Sequence, residues 1–150
     1  MLQKLQKRKQ EQGFTIIEVL IVLAIAGLIM LVVFLAVPAL QRNSRNTQYR
    51  NEASRLLDGY GEISANNGGS VLVAADATSV KSAANTKSIT NLSIATGSSA
   101  GTEPTTTDTA LIRTGAKCSS NATAPGTTRQ IAILFLVETS GGTTMQCIES

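Results

Sequence analysis

The residues able to do chemistry are few in this 150-residue chain, and their types narrow what it can do. There is no His, which removes the most common general base and a favoured metal ligand. No metal-ligand cluster, phosphate-cradling Gly-rich loop or nucleophile–base pair stands out. The sequence therefore predicts no catalytic residue, no metal and no cofactor, and argues against an enzyme. Two features remain. Glu18 is the sole charged residue between Gly13 and Arg42, and a carboxylate in apolar surroundings is costly unless paired or protonated. Cys118 and Cys147 are the two cysteines.

The segment around Glu18 fixes what must position it. Met1–Gly13 is short, polar and basic, and Phe14–Leu40 is almost wholly apolar. Within it Val19–Leu40 has no charge, and as a helix it would span about 33 Å, close to the roughly 30 Å of a bilayer core. That is too long for the core helix of a small domain, and longer than the apolar region of an ordinary signal peptide. Basic flanks stay in the cytoplasm, so Met1–Gly13 is expected inside and the chain after Leu40 outside. Of thirteen basic and ten acidic residues, four and one lie in Met1–Gly13, leaving nine of each. The overall charge of +3 is thus a property of the leader and no argument for nucleic-acid binding.

The helix is expected to continue past the membrane, from Thr15 to about Ala65. Tyr49, Ala53, Leu56, Tyr60 and Ile63 recur at helical spacing and form one apolar face. Asn66-Asn67-Gly68-Gly69 is a stop signal. The organisation read from composition is 1–13 leader, 14–40 apolar helix, 41–65 amphipathic continuation and 66–150 a β-sheet domain rich in Ser, Thr, Ala and Gly. Candidate strands are Ser70–Ala74, Ser88–Ala95, Ala110–Thr114 and Arg129–Glu138, the last apolar on both faces as for a covered central strand. Ser140-Gly141-Gly142 reads as a hairpin turn and Thr143–Glu149 as the returning strand. Ala75–Lys87 and Gly97–Asp108 read as surface loops. The fold class is α+β, a long N-terminal helix packed on a small antiparallel sheet.

Both cysteines fall in the outside region, where a lone pair is usually bridged. Closing a loop of about 30 residues would stabilise by roughly 3–4 kcal/mol in the chain-entropy model. Two free thiols are the alternative.

Gly13-Phe14-Thr15-Ile16-Ile17-Glu18-Val19-Leu20 resembles the N-terminal signature of type IV pilins. The resemblance implies that a membrane prepilin peptidase cuts between Gly13 and Phe14 and methylates the new amine of Phe14. It implies that Glu18 takes part in subunit docking, with the Phe14 amine as the nearest available cation. In filaments of the family the helix loosens between a Gly, here Gly27, and a Pro. Many members carry that proline three residues earlier than Pro38, so the loosened stretch expected here, Leu28–Val37, is longer than usual.

The partners implied are identical subunits in a helical filament, the peptidase, and an assembly platform with its cytoplasmic ATPase. The membrane holds the precursor before assembly, the filament then lies on the cell surface, and no specific nucleic acid is implied. Filaments of the family serve adhesion, twitching motility or DNA uptake. Two other readings share parts of the pattern: a pseudopilin of a type II secretion or DNA-uptake machine, and a single-pass membrane-anchored binding domain.

Overall fold

A computed structural model describes residues 13–150. The leader before Gly13 lies outside the described residues. The chain divides into two compact units, Met1–Pro38 and Ala39–Ser150.

One helix, α1 (Ile16–Asn66), contributes to both. In the first unit its side chains are exposed throughout, as suits a segment whose solvent is not water. The helix is unbroken through Gly27 and Pro38, although proline removes one N–H from the ladder. In the second unit α1 turns its predicted face inward. Ala53, Leu56 and Tyr60 are buried, Tyr49 and Ile63 pack at the margin, and Leu57 joins them. The helix ends at Asn66, where Gly68 and Gly69 adopt φ of 70° and 77°. Gly69 N–H then donates to Ser64 O at 2.8 Å, and Asn67 N–H to Ile63 O at 3.0 Å, closing the carbonyls that a helix end leaves open.

The next segment departs from the expectation. Ser70–Ala74 is not a strand. Leu72 is buried, but its N–H donates to the Tyr60 hydroxyl at 3.1 Å instead of joining a ladder, and Val71 and Val73 stay exposed. A 3₁₀ turn (Ala74–Asp76) follows, with Asp76 accepting from Val73 N–H at 2.8 Å. The stretch Ala75–Lys87 is not a loop: it holds α2 (Ala77–Ala84). Val80 and Ala84, one turn apart, are its buried anchors, and Asn85 ends it at φ 48° in the left-handed region that Asn tolerates. The two helices cross at Gly59. A Cβ there would lie 3.0 Å from Val80 O and 3.2 Å from Ala84 N. Gly59 thus offsets its cost to helix propensity with a close helix–helix approach.

Six strands follow: β1 (Asn91–Thr96), β2 (Thr109–Thr114), β3 (Ala116–Ser119), β4 (Ala122–Pro125), β5 (Ile131–Thr139) and β6 (Gly142–Glu149). The main sheet has the order β1-β2-β5-β6. It is antiparallel at β2–β5 and β5–β6, while β1 and β2 run parallel, with Ile94 opposite Ile112. A parallel neighbour needs a crossover of a dozen or so residues, and the Gly97–Asp108 segment, irregular as expected, supplies it. β3 and β4 form a separate antiparallel hairpin that sequence analysis did not find. Lys, Ser, Asn and Pro dilute any alternation there, and its pairs are fixed by contacts with β5 and β6.

Strand β5 is central and covered on both faces, as its composition predicts. Ile131, Ile133, Phe135 and Val137 meet α1, α2 and the facing residues Ala110 and Ile112. Ala132, Leu134 and Leu136 are buried on the other side. That second face is covered by the crossover and the small hairpin. Arg113 of β2, 4% exposed, donates from Nε to Ala100 O at 2.8 Å and from Nη1 to Thr123 Oγ1 at 2.7 Å, which ties the crossover and β4 together over the sheet.

Candidate assembly site and its scaffold

The N-terminal end of α1 is built by Thr15. Its backbone N–H and its hydroxyl both donate to Glu18 Oε2, at 2.8 and 2.7 Å, and its Oγ1 accepts from Glu18 N–H at 3.3 Å. This is a reciprocal capping box, which satisfies donors that a helix start leaves open. The pattern Thr-x-x-Glu, Thr15 to Glu18, is the sequence signal for it. The box holds the Glu18 side chain back against the first turn. Oε2 carries both bonds from Thr15, while Oε1 makes none among the described residues.

Around this box the surroundings are apolar and uncovered. Phe14 is 88% exposed, and Ile17, Val19, Leu20 and Val22 are exposed as well. Gly13 precedes the helix with nothing among the described residues within 4 Å of the place its Cβ would occupy, and Gly27, inside α1, is equally open. Among the described residues, no contact therefore requires glycine at either position. In a helix Gly costs about 1 kcal/mol relative to Ala. The reason for Gly27, and for Gly13, has to be sought in something the chain meets.

Residues 8–34 match the family model described as the prokaryotic N-terminal methylation motif. This segment is a prepilin-type N-terminus. It contains Gly13, Phe14, Thr15, Glu18 and Gly27, and the helix that follows is long and apolar enough to cross a membrane. With the sheet domain beyond it, the chain has a pilin-like α+β architecture, similar to type IV pilins and pseudopilins. The prepilin motif implies processing by a prepilin peptidase, and anchoring in the membrane before assembly. Comparison with curated proteins and with solved structures gave no significant match.

The sheet domain is scaffolded by polar contacts that no periodicity predicts. The Asn46 side chain pairs with the Glu138 backbone as a strand would: Nδ2 donates to Glu138 O at 2.7 Å and Oδ1 accepts from Glu138 N–H at 2.8 Å. Arg45 holds the Glu138 carboxylate with both Nε and Nη2, at 2.9 and 2.7 Å, and these bonds keep the Glu138 pKa below the usual carboxylate range. Arg50 Nε donates to Gln146 Oε1 at 3.0 Å. The first turns of α1 in this unit are thus bonded to β5 and β6 by hydrogen bonds, and the later turns by apolar burial.

Glu52 is the most demanding residue of this scaffold. It is 1% exposed. Its Oε2 accepts from Ser88 N–H and Ile89 N–H, both at 2.8 Å, and Oε1 accepts from Gln48 Nε2 at 3.3 Å. Burial pushes the carboxyl up, but the bonds from Ile89 and Ser88 outweigh it and leave the pKa below the ordinary value. A charged residue on the helix thereby fixes the backbone that leads into β1.

Cys118 in β3 and Cys147 in β6 are bridged, with Cα atoms 5.7 Å apart. The bond joins the small hairpin to the edge of the main sheet. Glu149 reinforces the same join by accepting from Cys118 N–H.

Proposed function

We propose that this chain is the precursor of a type IV pilus subunit. The supporting observation is a coincidence of position: the methylation motif brackets Gly13-Phe14, and the capped helix start lies directly after it, followed by an apolar run whose sole charge is Glu18. Cleavage after Gly13 removes the basic leader and leaves the Phe14 amine as the N-terminus, which is then methylated. An open Gly13 suits a peptidase that must approach the backbone closely.

Assembly transfers the apolar part of α1 from lipid to the helices of neighbouring subunits. Fully burying a large apolar side chain is worth about 1.5–3 kcal/mol relative to water. Lipid already supplies most of that, so extraction must be driven by the assembly ATPase. Inside such a bundle Glu18 needs a cation. The Phe14 amine of a neighbour supplies it, and a subunit seated too high or too low leaves both charges unpaired. The Thr15 box leaves Oε1 for that contact. Loosening between Gly27 and Pro38 would let the helix adapt to its neighbours, since glycine weakens the ladder and proline interrupts it. The sheet domain then coats the filament.

Intact-mass analysis of protein from cells, with imaging of filaments from cells with and without the gene, tests this reading. A mature species beginning at a methylated Phe14, and filaments that vanish with the gene, are expected. A chain retaining Met1, or cut after Pro38, would refute it. A correctly cut protein that forms only a short fibre within the envelope would make it a pseudopilin.

A further inference from the structure

The end of α1, the segment after it and the turn before β5 enclose a cleft of about 280 Å³ in the sheet domain. Tyr60, Ser70, Val71, Thr128, Arg129 and Ile131 line it. We infer that this cleft binds a small organic carboxylate.

The argument rests on which hydrogen-bonding groups are left over. Tyr60 is 6% exposed. Its oxygen already accepts from Leu72 N–H at 3.1 Å, so its own proton must be donated, and no protein acceptor for it exists among the described residues. On the cleft side that proton is open to an acceptor from solution. Arg129, like Arg42, makes no ion pair or hydrogen bond among the described residues, whereas Arg45, Arg50, Arg55 and Arg113 each have a partner. Tyr60, with a proton to donate, and the unpaired Arg129 both line the cleft, and no Asp or Glu lines it.

The neighbouring groups do not cancel this excess of donors. Three of the last carbonyls of α1, which would otherwise draw a cation, are occupied: Ile63 O, Ser64 O and Ala65 O accept from Asn67, Gly69 and Gly68. The Ser64 and Ser70 hydroxyls direct their protons to Ser70 O and Asn67 O. A ligand must then bring acceptors and negative charge. Guanidinium favours a two-oxygen anion, which it holds bidentately. Val71 and Ile131 add an apolar wall, so the anion is the end of an organic molecule rather than a bare inorganic ion. The volume lies at the small end for ligand pockets and limits the molecule to about the size of one sugar acid.

The test is an NMR titration of the full chain in detergent micelles with D-glucuronate, with glucose and inorganic phosphate as separate arms. Glucuronate should give saturable shifts at the amides of Ser70, Val71, Thr128 and Arg129, and glucose none. Arg129→Gln, at an exposed and unpaired position, should leave the melting temperature unchanged and weaken glucuronate binding at least ten-fold. Arg129→Lys should recover part of the affinity. Absence of shifts at these amides, equal response to glucose, or full affinity in Arg129→Gln would overturn the site. Phosphate binding as tightly as glucuronate would overturn its assignment to an organic acid.

Discussion

Replacement of Glu52 is the sharpest probe of how α1 holds the sheet domain. Glu52→Ala removes the acceptor of Ser88 N–H and Ile89 N–H, each bonded at 2.8 Å. Hydrogen bonds to a charged group contribute about 1.5–3 kcal/mol each. The Ile89 donor is buried and has no water to turn to. Loss of both bonds should cost about 3–6 kcal/mol, a large share of the 5–15 kcal/mol typical of a whole domain. Glu52→Gln keeps the shape and one acceptor oxygen, so it should cost less. The pH dependence carries a definite sign. The folded-state pKa of Glu52 is depressed, so its contribution is fully present above the unfolded-state pKa. It is lost as pH falls through the folded-state value. Urea denaturation of Gln41–Ser150 at neutral pH and at successively lower pH measures both effects. The wild-type domain should lose more stability on acidification than Glu52→Gln does. The residual slope of that variant should include Glu138, whose pKa is depressed by Arg45. A loss below about 1 kcal/mol for Glu52→Ala, or parallel acid profiles for wild type and Glu52→Gln, would refute the latch.

Gly13→Ala should leave the fold intact, because nothing among the described residues lies within 4 Å of the new Cβ, yet block processing; a normal mature mass would show that the glycine is not read. Glu18→Ala should be inserted and cut normally but assemble few or no filaments as the sole subunit, and Glu18→Asp should be partly defective; normal filament number and length from Glu18→Ala would show that the carboxylate does not direct docking. Cys147→Ser should lower stability by about 3–4 kcal/mol by the chain-entropy estimate and loosen β6 and the β3–β4 hairpin, seen as faster amide exchange there; unchanged exchange would show that the pairing with β5 suffices. Leu56→Asp, at a fully buried position, should destabilise Gln41–Ser150 by several kcal/mol; an unchanged melting temperature would refute the packing of this face on the sheet.

What could be read in the one-dimensional chain was whatever local composition dictates. An uncharged run as long as a bilayer is thick, a helical stripe from Tyr49 to Ile63, and a strand apolar on both faces within Arg129–Glu138 each declare themselves within a few turns or residues. The motif at Gly13–Glu18 did so as well, because the residues read together there are adjacent in sequence. The tertiary structure decided what depends on residues far apart. Leu72 had the pattern of a strand residue but gives its N–H to Tyr60, twelve positions earlier. Ala77–Ala84 is a helix because Val80 and Ala84 find a seat against Gly59. β1 runs parallel to β2 because the crossover can be pinned by Arg113. Asn46 and Glu52, two polar residues on a helix, gave no sign of their roles, since their partners Glu138, Ser88 and Ile89 lie 36 to 92 residues away. A hydrogen bond across such a separation leaves no periodicity, whereas burial of a continuous face does.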